Sequence, residues 1–284
     1  MRNGFNALMM AIALAVPSGV AADEEDNAST GLTSLMTSYE ARGWEGVGRL
    51  NIGYGGMCTG ALIAPRLVLT AAHCLIDQRT GREVDARDVT FLAGWRNGRA
   101  SASRKVRRAV VHPQYEYNGP GGELSVANDL ALLELASEIR LAHIQPFKTA
   151  SRPRKGASVG VVSYAHDRQN NLSLQEVCHV LARRSGALVL SCDVDFGSSG
   201  APIFADVDGE PQIVSVVSAK AMVRGQKVSL GTNLEKPLDE LMDLMASGDA
   251  VLNSGTSEPR RLKVGGGNGL ALSGGESGAK FVKP

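Results

Sequence analysis

From Val47 to Leu234 the apolar residues come in short runs, each stopped by a turn or a cluster of Gly, Pro or Asn. That rhythm restricts the fold more than any other feature, because runs of about four to eight residues suit strands and are too short to bury one face of a helix. The candidates in the first half are Arg49-Leu50-Asn51-Ile52, Cys58 to Ile63, Leu67 to Thr70, Val89 to Ala93, Lys105 to Val111 and Leu130 to Leu135. In the second half they are Ser158 to Tyr164, Leu174 to Leu181, Ala187 to Cys192, Ala201 to Phe204, Ile213 to Ser218 and Val228 to Leu234. Ala64-Pro65-Arg66 and Asn118-Gly119-Pro120-Gly121-Gly122 read as turns, and the 33 glycines agree with turn-rich β structure. An all-β barrel or sandwich follows. One helix is expected from Pro237 at its first position, with Leu238, Leu241, Met242 and Met245 on one face, Asp239 and Glu240 in the first turn and Gly248 at its end.

The ends of the chain read differently. Arg2 precedes the apolar run Ala7 to Val16, which is about half the ~20 residues that span a bilayer. Pro17-Ser18-Gly19 and the small residues Val20-Ala21-Ala22 follow, so residues 1–22 read as a cleaved export signal. Residues 23–41 form a mature N-terminal segment or a propeptide, polar and loose as far as residue 37. From Ser254 the glycine-rich composition reads as a disordered tail, with 251–284 assigned to it and Arg260-Arg261 a site for nicking. The region from Ile144 to Lys155 reads as a linker between two domains, 42–145 and 146–250. A formal net charge of +1 offers no electrostatic basis for binding nucleic acid or an anionic membrane. The run Arg104-Lys105-Val106-Arg107-Arg108 reads as a solvated strand edge.

Four cysteines in an exported chain favour disulfides, and four allow three pairings. The sequential one, Cys58 with Cys74 and Cys178 with Cys192, is the simplest. The spacings do not suit a metal site, and His112, His143, His166 and His179 read as structural or surface residues.

Three motifs carry chemistry. Thr70-Ala71-Ala72-His73-Cys74 follows an apolar strand and holds a histidine suited to a general base. In Asn128-Asp129-Leu130-Ala131-Leu132, a carboxylate enters an apolar strand, which is costly unless it accepts hydrogen bonds. In Gly197-Ser198-Ser199-Gly200-Ala201-Pro202, tightly turning backbone flanks a serine. Together they resemble trypsin-like (chymotrypsin-fold) serine proteases in content, order and spacing over roughly residues 42–247. The order His, Asp, Ser separates that fold from subtilisins and α/β-hydrolases.

The resemblance implies two six-stranded antiparallel β-barrels, with the active site in the cleft between them and a C-terminal helix. It implies His73 as base, Asp129 as its partner and Ser199 as nucleophile, with the N–H groups of Gly197 and Ser199 as the oxyanion hole. Asp193 then falls at the floor of the specificity pocket and Ser218 on the strand that pairs with substrate backbone. Lys220 stands beside that strand, placed to pair with Asp193 or fill the pocket, which leaves a preference for cleavage after Arg or Lys open. Ser198 stands where animal trypsins carry an Asp that binds a newly freed N-terminus. The chain therefore looks nearer to bacterial V8-like, glutamyl-endopeptidase-like members, and activity is expected not to need that ion pair. The implied protein is a secreted or periplasmic monomeric serine endopeptidase acting on proteins or peptides, without cofactor, metal, nucleic acid or membrane. The competing reading is a binding protein that keeps the fold without turnover.

Overall fold

The computed structural model describes Met1 and residues 29–53, 55–117, 126–184, 186–248 and 251–253. The export signal, the Asn118–Gly122 turn and the tail from residue 254 lie outside the described residues. The first barrel is built from β1 (Val47–Ile52), β2 (Gly56–Ala64), β3 (Leu67–Thr70), β4 (Val89–Ala93), β5 (Ala102–Val111) and β6 (Ala131–Leu135). Antiparallel pairing runs β1–β2–β3–β6–β5–β4 and returns to β1, so the ring closes. The second barrel uses β7 (Ser158–Ser163), β8 (Ser173–Arg184), β9 (Ala187–Leu190), β10 (Pro202–Val207), β11 (Glu210–Val223) and β12 (Gln226–Asn233). It closes as β7–β8–β9–β12–β11–β10 and back to β7. Both are six-stranded, as expected.

Alternation is plain in β1, where Gly48, Leu50 and Ile52 are buried and Arg49 and Asn51 between them are less so. β6 is different, since all five of its residues are buried. Its outer face lies under the helix α1 (Glu235–Ser247), which packs on β5 and β6 through Leu238, Leu241 and Met245. The helix begins two residues before Pro237, which is therefore third and not first. The position is tolerated because first-turn N–H groups have no intrahelical acceptor, so a missing one costs nothing there. Asp239 and Glu240 consequently fall beyond the first turn, where Glu235 stands instead, and Met242 faces outward. Gly248 ends the helix in the left-handed region at φ 78° and donates to the Leu244 carbonyl at 3.1 Å.

Glu134 is the polar residue of β6 and is 7% exposed. Arg107 reaches its Oε1 at 2.6 Å and Arg108 donates to its Oε2. Two successive strand residues meet one carboxylate because a bulge shifts the register between Val106 and Arg108. Burial pushes the Glu134 carboxyl up, and the two guanidiniums more than reverse that, holding it below the usual range. The basic run is solvated at Lys105 and Arg107 but is no edge, since β5 pairs with β4 and β6; Arg107 and Arg108 serve Glu134, and Arg104 donates to the Glu138 carbonyl at 3.2 Å.

Trp44, Phe147 and Phe204 form the seam between the barrels, with centroids of Phe204 5.0 Å from Trp44 and 4.8 Å from Phe147. Phe147 belongs to the expected linker, which docks on both barrels: its N–H donates to Leu62 and the Ala150 N–H to Ile213.

The two ends of the chain cross. The N-terminal segment is not loose from Ser29 onward. Thr33–Ser34 pairs with Leu174 and Ser173 of β8, Thr30 donates to the Val177 carbonyl at 2.9 Å, and Leu35 is buried. Val251–Asn253, read as the start of a disordered tail, pairs with Val110 to Arg108 of β5. The second barrel therefore carries a strap from the start of the chain, and the first barrel carries a strand and α1 from its end.

Candidate active site

His73 lies in a short 3₁₀ turn, Ala72–Leu75, directly after β3. Cys74 is bonded to Cys58 of β2, and Cys178 to Cys192, the sequential pairing. The first bridge clamps the turn that carries the imidazole. The sulfurs of Cys58 and Cys74 also lie near His73, but bonded to each other they are spent as metal ligands.

Asp129 follows the Val126–Asn128 turn and is 2% exposed. Thr232 of β12 pins this turn across the seam, donating to the carbonyls of Val126 at 2.8 Å and Asp129 at 3.2 Å. Three donors satisfy the buried carboxylate. The His73 backbone N–H meets Oδ1 at 2.9 Å, His73 Nδ1 meets Oδ2 at 2.7 Å, and the Ser218 hydroxyl donates to the same Oδ2. A carboxylate facing Nδ1 keeps the proton there and leaves Nε2 free to accept one. Burial opposes charging the ring, but the Asp129 charge and hydrogen bond outweigh it, so the His73 pKa is raised. Burial, then Asp129, also pushes up the phenol of Tyr115.

The loop from Cys192 to Gly200 is tied at nearly every residue. Asp193 N–H donates to Gln175 Oε1 at 2.7 Å, and Lys220 Nζ reaches Asp195 Oδ1 at 2.7 Å. The carbonyl of Phe196 accepts from His166, that of Gly197 from the Thr59 hydroxyl at 2.9 Å, and that of Ser199 from the Thr59 N–H at 2.8 Å. Ser198 is fully buried, with its Oγ 3.2 Å from Ser163 Oγ and 3.3 Å from the Tyr164 carbonyl. It is therefore neutral and satisfied where a carboxylate would need a cation. Gly200 holds φ 77°, and a Cβ there would sit 2.1 Å from Thr70 Oγ1 and 2.4 Å from the Thr59 carbonyl. The N–H groups of Ser198 and Gly200 are engaged, whereas among the described residues those of Gly197 and Ser199 donate to nothing.

A cleft of about 750 Å³ opens between the barrels, walled by the His73 turn, β2 and the hairpin Ile76–Asp77/Arg82–Glu83 on one side. His166, Phe196, Gly197 and Ser199 wall it on the other. His73 and Ser199 thus face one space, and Asp129 stands behind His73. Asp193, Ser218 and Lys220 do not line this cleft. Lys220 pairs with Asp195 and not with Asp193, and its ammonium lies 4.1 Å from the centroid of the exposed Phe196 ring. The Asp193 side chain is exposed and, among the described residues, has no cation.

Thr59 and Gln175 escaped the reading of the sequence. Thr59 is a fully buried polar residue in the apolar run Cys58 to Ile63, and that mismatch was the available signal. His166, read as a surface or structural residue, is exposed but lines the cleft.

The Trypsin family model matches residues 36–233. Serine protease 23 of Mus musculus is 31% identical over 176 residues, covering 55% of this chain and 44% of that protein. The Homo sapiens protein of that name is 30% identical over 168 residues, covering 52% and 42%. The chain therefore spans less than half the length of these relatives. A solved Glu endopeptidase in complex with MPD superposes with a TM-score of 0.63 at 18% identity, covering 76% of this chain and 97% of that one. That last likeness is one of fold.

Proposed function

The chain belongs to the trypsin family of serine proteases, and on that footing we propose that it is an exported endopeptidase that cleaves peptide bonds through Ser199, His73 and Asp129. The observation that carries this reading is the Asp129–His73 pair together with one cleft lined by His73, Gly197 and Ser199.

His73 Nε2 takes the Ser199 hydroxyl proton as Oγ attacks the peptide carbonyl carbon. The carbonyl electron pair moves onto oxygen, which the N–H groups of Gly197 and Ser199 stabilise. Collapse expels the amine, which receives the proton from His73, and leaves an acyl group on Ser199. Water then attacks that ester with His73 again as base. Asp129 stays ionised throughout and supports the imidazolium. Two disulfides support an exported protein. Asp193 has no cation among the described residues, which supports a basic residue on the acyl side of the cut even though Asp193 stands outside the cleft walls, and a peptide library tests that preference directly.

The decisive experiment is labelling with a serine-reactive fluorophosphonate. Labelling that disappears in Ser199→Ala and His73→Ala supports the proposal. Folded wild-type protein that stays unlabelled removes it and favours the binding-protein reading.

A further inference from the structure

The strap at the start of the chain and the loop that carries Ser199 share one buried amide. Gln175 of β8 is 3% exposed. Its Oε1 accepts the Asp193 N–H at 2.7 Å, and its Nε2 donates to the Thr30 carbonyl at 2.7 Å. One end therefore holds the first residue of the loop beyond Cys192, and the other end holds the strap. Further contacts seat the strap on the same stretch. Val177 N–H donates to Thr30 Oγ1 at 2.9 Å, Leu35 N–H to the Leu172 carbonyl at 2.8 Å, and Ser29 Oγ lies 2.9 Å from Ser191 Oγ. A buried amide that loses its partner at one end turns or admits water to recover the bond, and either response disturbs the other end.

We infer that Gln175 is a positioning residue for the substrate site, and that strap residues 29–35 act through it to keep Asp193, at the entry of that loop, in register. The inference rests on the reading of Ser199 as nucleophile. It makes the strap an ordered working part, so that proteolysis inside it lowers activity, the reverse of an activation peptide. Ser198 agrees with this arrangement. Its hydroxyl is already satisfied inside the second barrel, so a newly freed α-ammonium has no buried carboxylate to meet there.

The test compares full-length exported wild type with Gln175→Met, using extended peptide substrates and a small fluorophosphonate. The probe needs only the nucleophile, base and oxyanion hole, whereas extended substrates also need the loop around Asp193. Gln175→Met should raise KM roughly tenfold while the labelling rate stays within about twofold of wild type. Limited proteolysis between residues 29 and 35 should raise KM of the wild type similarly and add little in Gln175→Met. An unchanged KM in the variant, or in the cut wild type, overturns the inference. So does a parallel fall of labelling, turnover and melting midpoint, which marks general weakening. Wild type that never labels removes the nucleophile reading itself, and this inference with it.

Discussion

Replacing Asp129 by Asn is the most searching perturbation, because it turns one carboxylate oxygen into an NH₂ group and the structure says what each oxygen meets. The carboxylate accepts from three donors: the His73 N–H at Oδ1, and both His73 Nδ1–H and the Ser218 hydroxyl at Oδ2. An amide has one oxygen. If that oxygen stays toward Nδ1, its NH₂ group confronts the His73 backbone N–H, and a buried donor left unmade costs about 1–3 kcal/mol. If the amide flips, NH₂ faces Nδ1, the ring proton moves to Nε2, and the atom that must take the Ser199 proton no longer can. The flip relieves the first clash, so the chain keeps most of its stability and loses its base. The expected fall in kcat is about 10⁴-fold, some 5.5 kcal/mol of transition-state stabilisation. Ser218→Ala is the control. It removes one donor and leaves the tautomer alone, so its kcat should fall only roughly tenfold. Steady-state turnover of a peptide substrate, with circular dichroism to confirm folding, measures both. A folded Asp129→Asn enzyme within tenfold of wild type, or one no worse than Ser218→Ala, would refute the assignment of the base's orientation to Asp129.

Activity should also report the raised pKa of His73. The base form is lost as pH falls through that value, so the acid limb of kcat/KM should have its midpoint above ~6.5, the ordinary histidine value, and a midpoint below it would contradict the charge effect of Asp129. Removing the Cys58–Cys74 bridge by paired serine substitutions opens a loop of 16 residues' separation, and denaturant unfolding should show a loss of about 3 kcal/mol. Turnover should drop beyond the unfolded fraction, because the His73 turn loses its clamp. Lys220→Met breaks an ion pair whose side chains are half exposed, so thermal stability should stay near wild type. The same change frees the loop at Asp195, so KM for extended peptides should change and become less sensitive to salt; identical KM values in low and high salt for both proteins would deny Lys220 any part in substrate binding.

What was legible depended on whether the signal was local. The barrel strands announced themselves through short apolar runs, and Leu67–Thr70 and Val89–Ala93 match their expected ends. The pairing of His73 with Asp129, and the shared cleft of His73 and Ser199, agree with motifs that each stand out in their own neighbourhood. Residues whose role lies in a distant partner were not legible. The strap from Ser29 to Leu35 offers a single buried hydrophobe among polar residues, and its order comes from backbone pairing with β8, which leaves no mark on composition. The partners of Glu134 were hidden in the same way, because Arg107 and Arg108 reach it through a bulge. Lys220 was open between pairing with Asp193 and filling the pocket, because spacing along the chain does not show which carboxylate the fold brings to it. The fold decides in favour of Asp195, the carboxylate that reaches the Lys220 side chain from the loop ahead of Ser199.

The crossing of the chain ends bears on how such a molecule can be made. Thr30 meets Val177 across 147 positions, and Val251 closes onto β5 only after both barrels have been synthesised. A nascent chain therefore has no complete half to set aside while the rest emerges. The first barrel waits for its covering helix and strand, and the second must reach back for a segment made at the outset. Long-range pairing of this kind is slow, because loop closure precedes the contacts that reward it. A cut between the barrels would therefore part β8 from Thr33–Ser34 and β5 from Val251–Asn253.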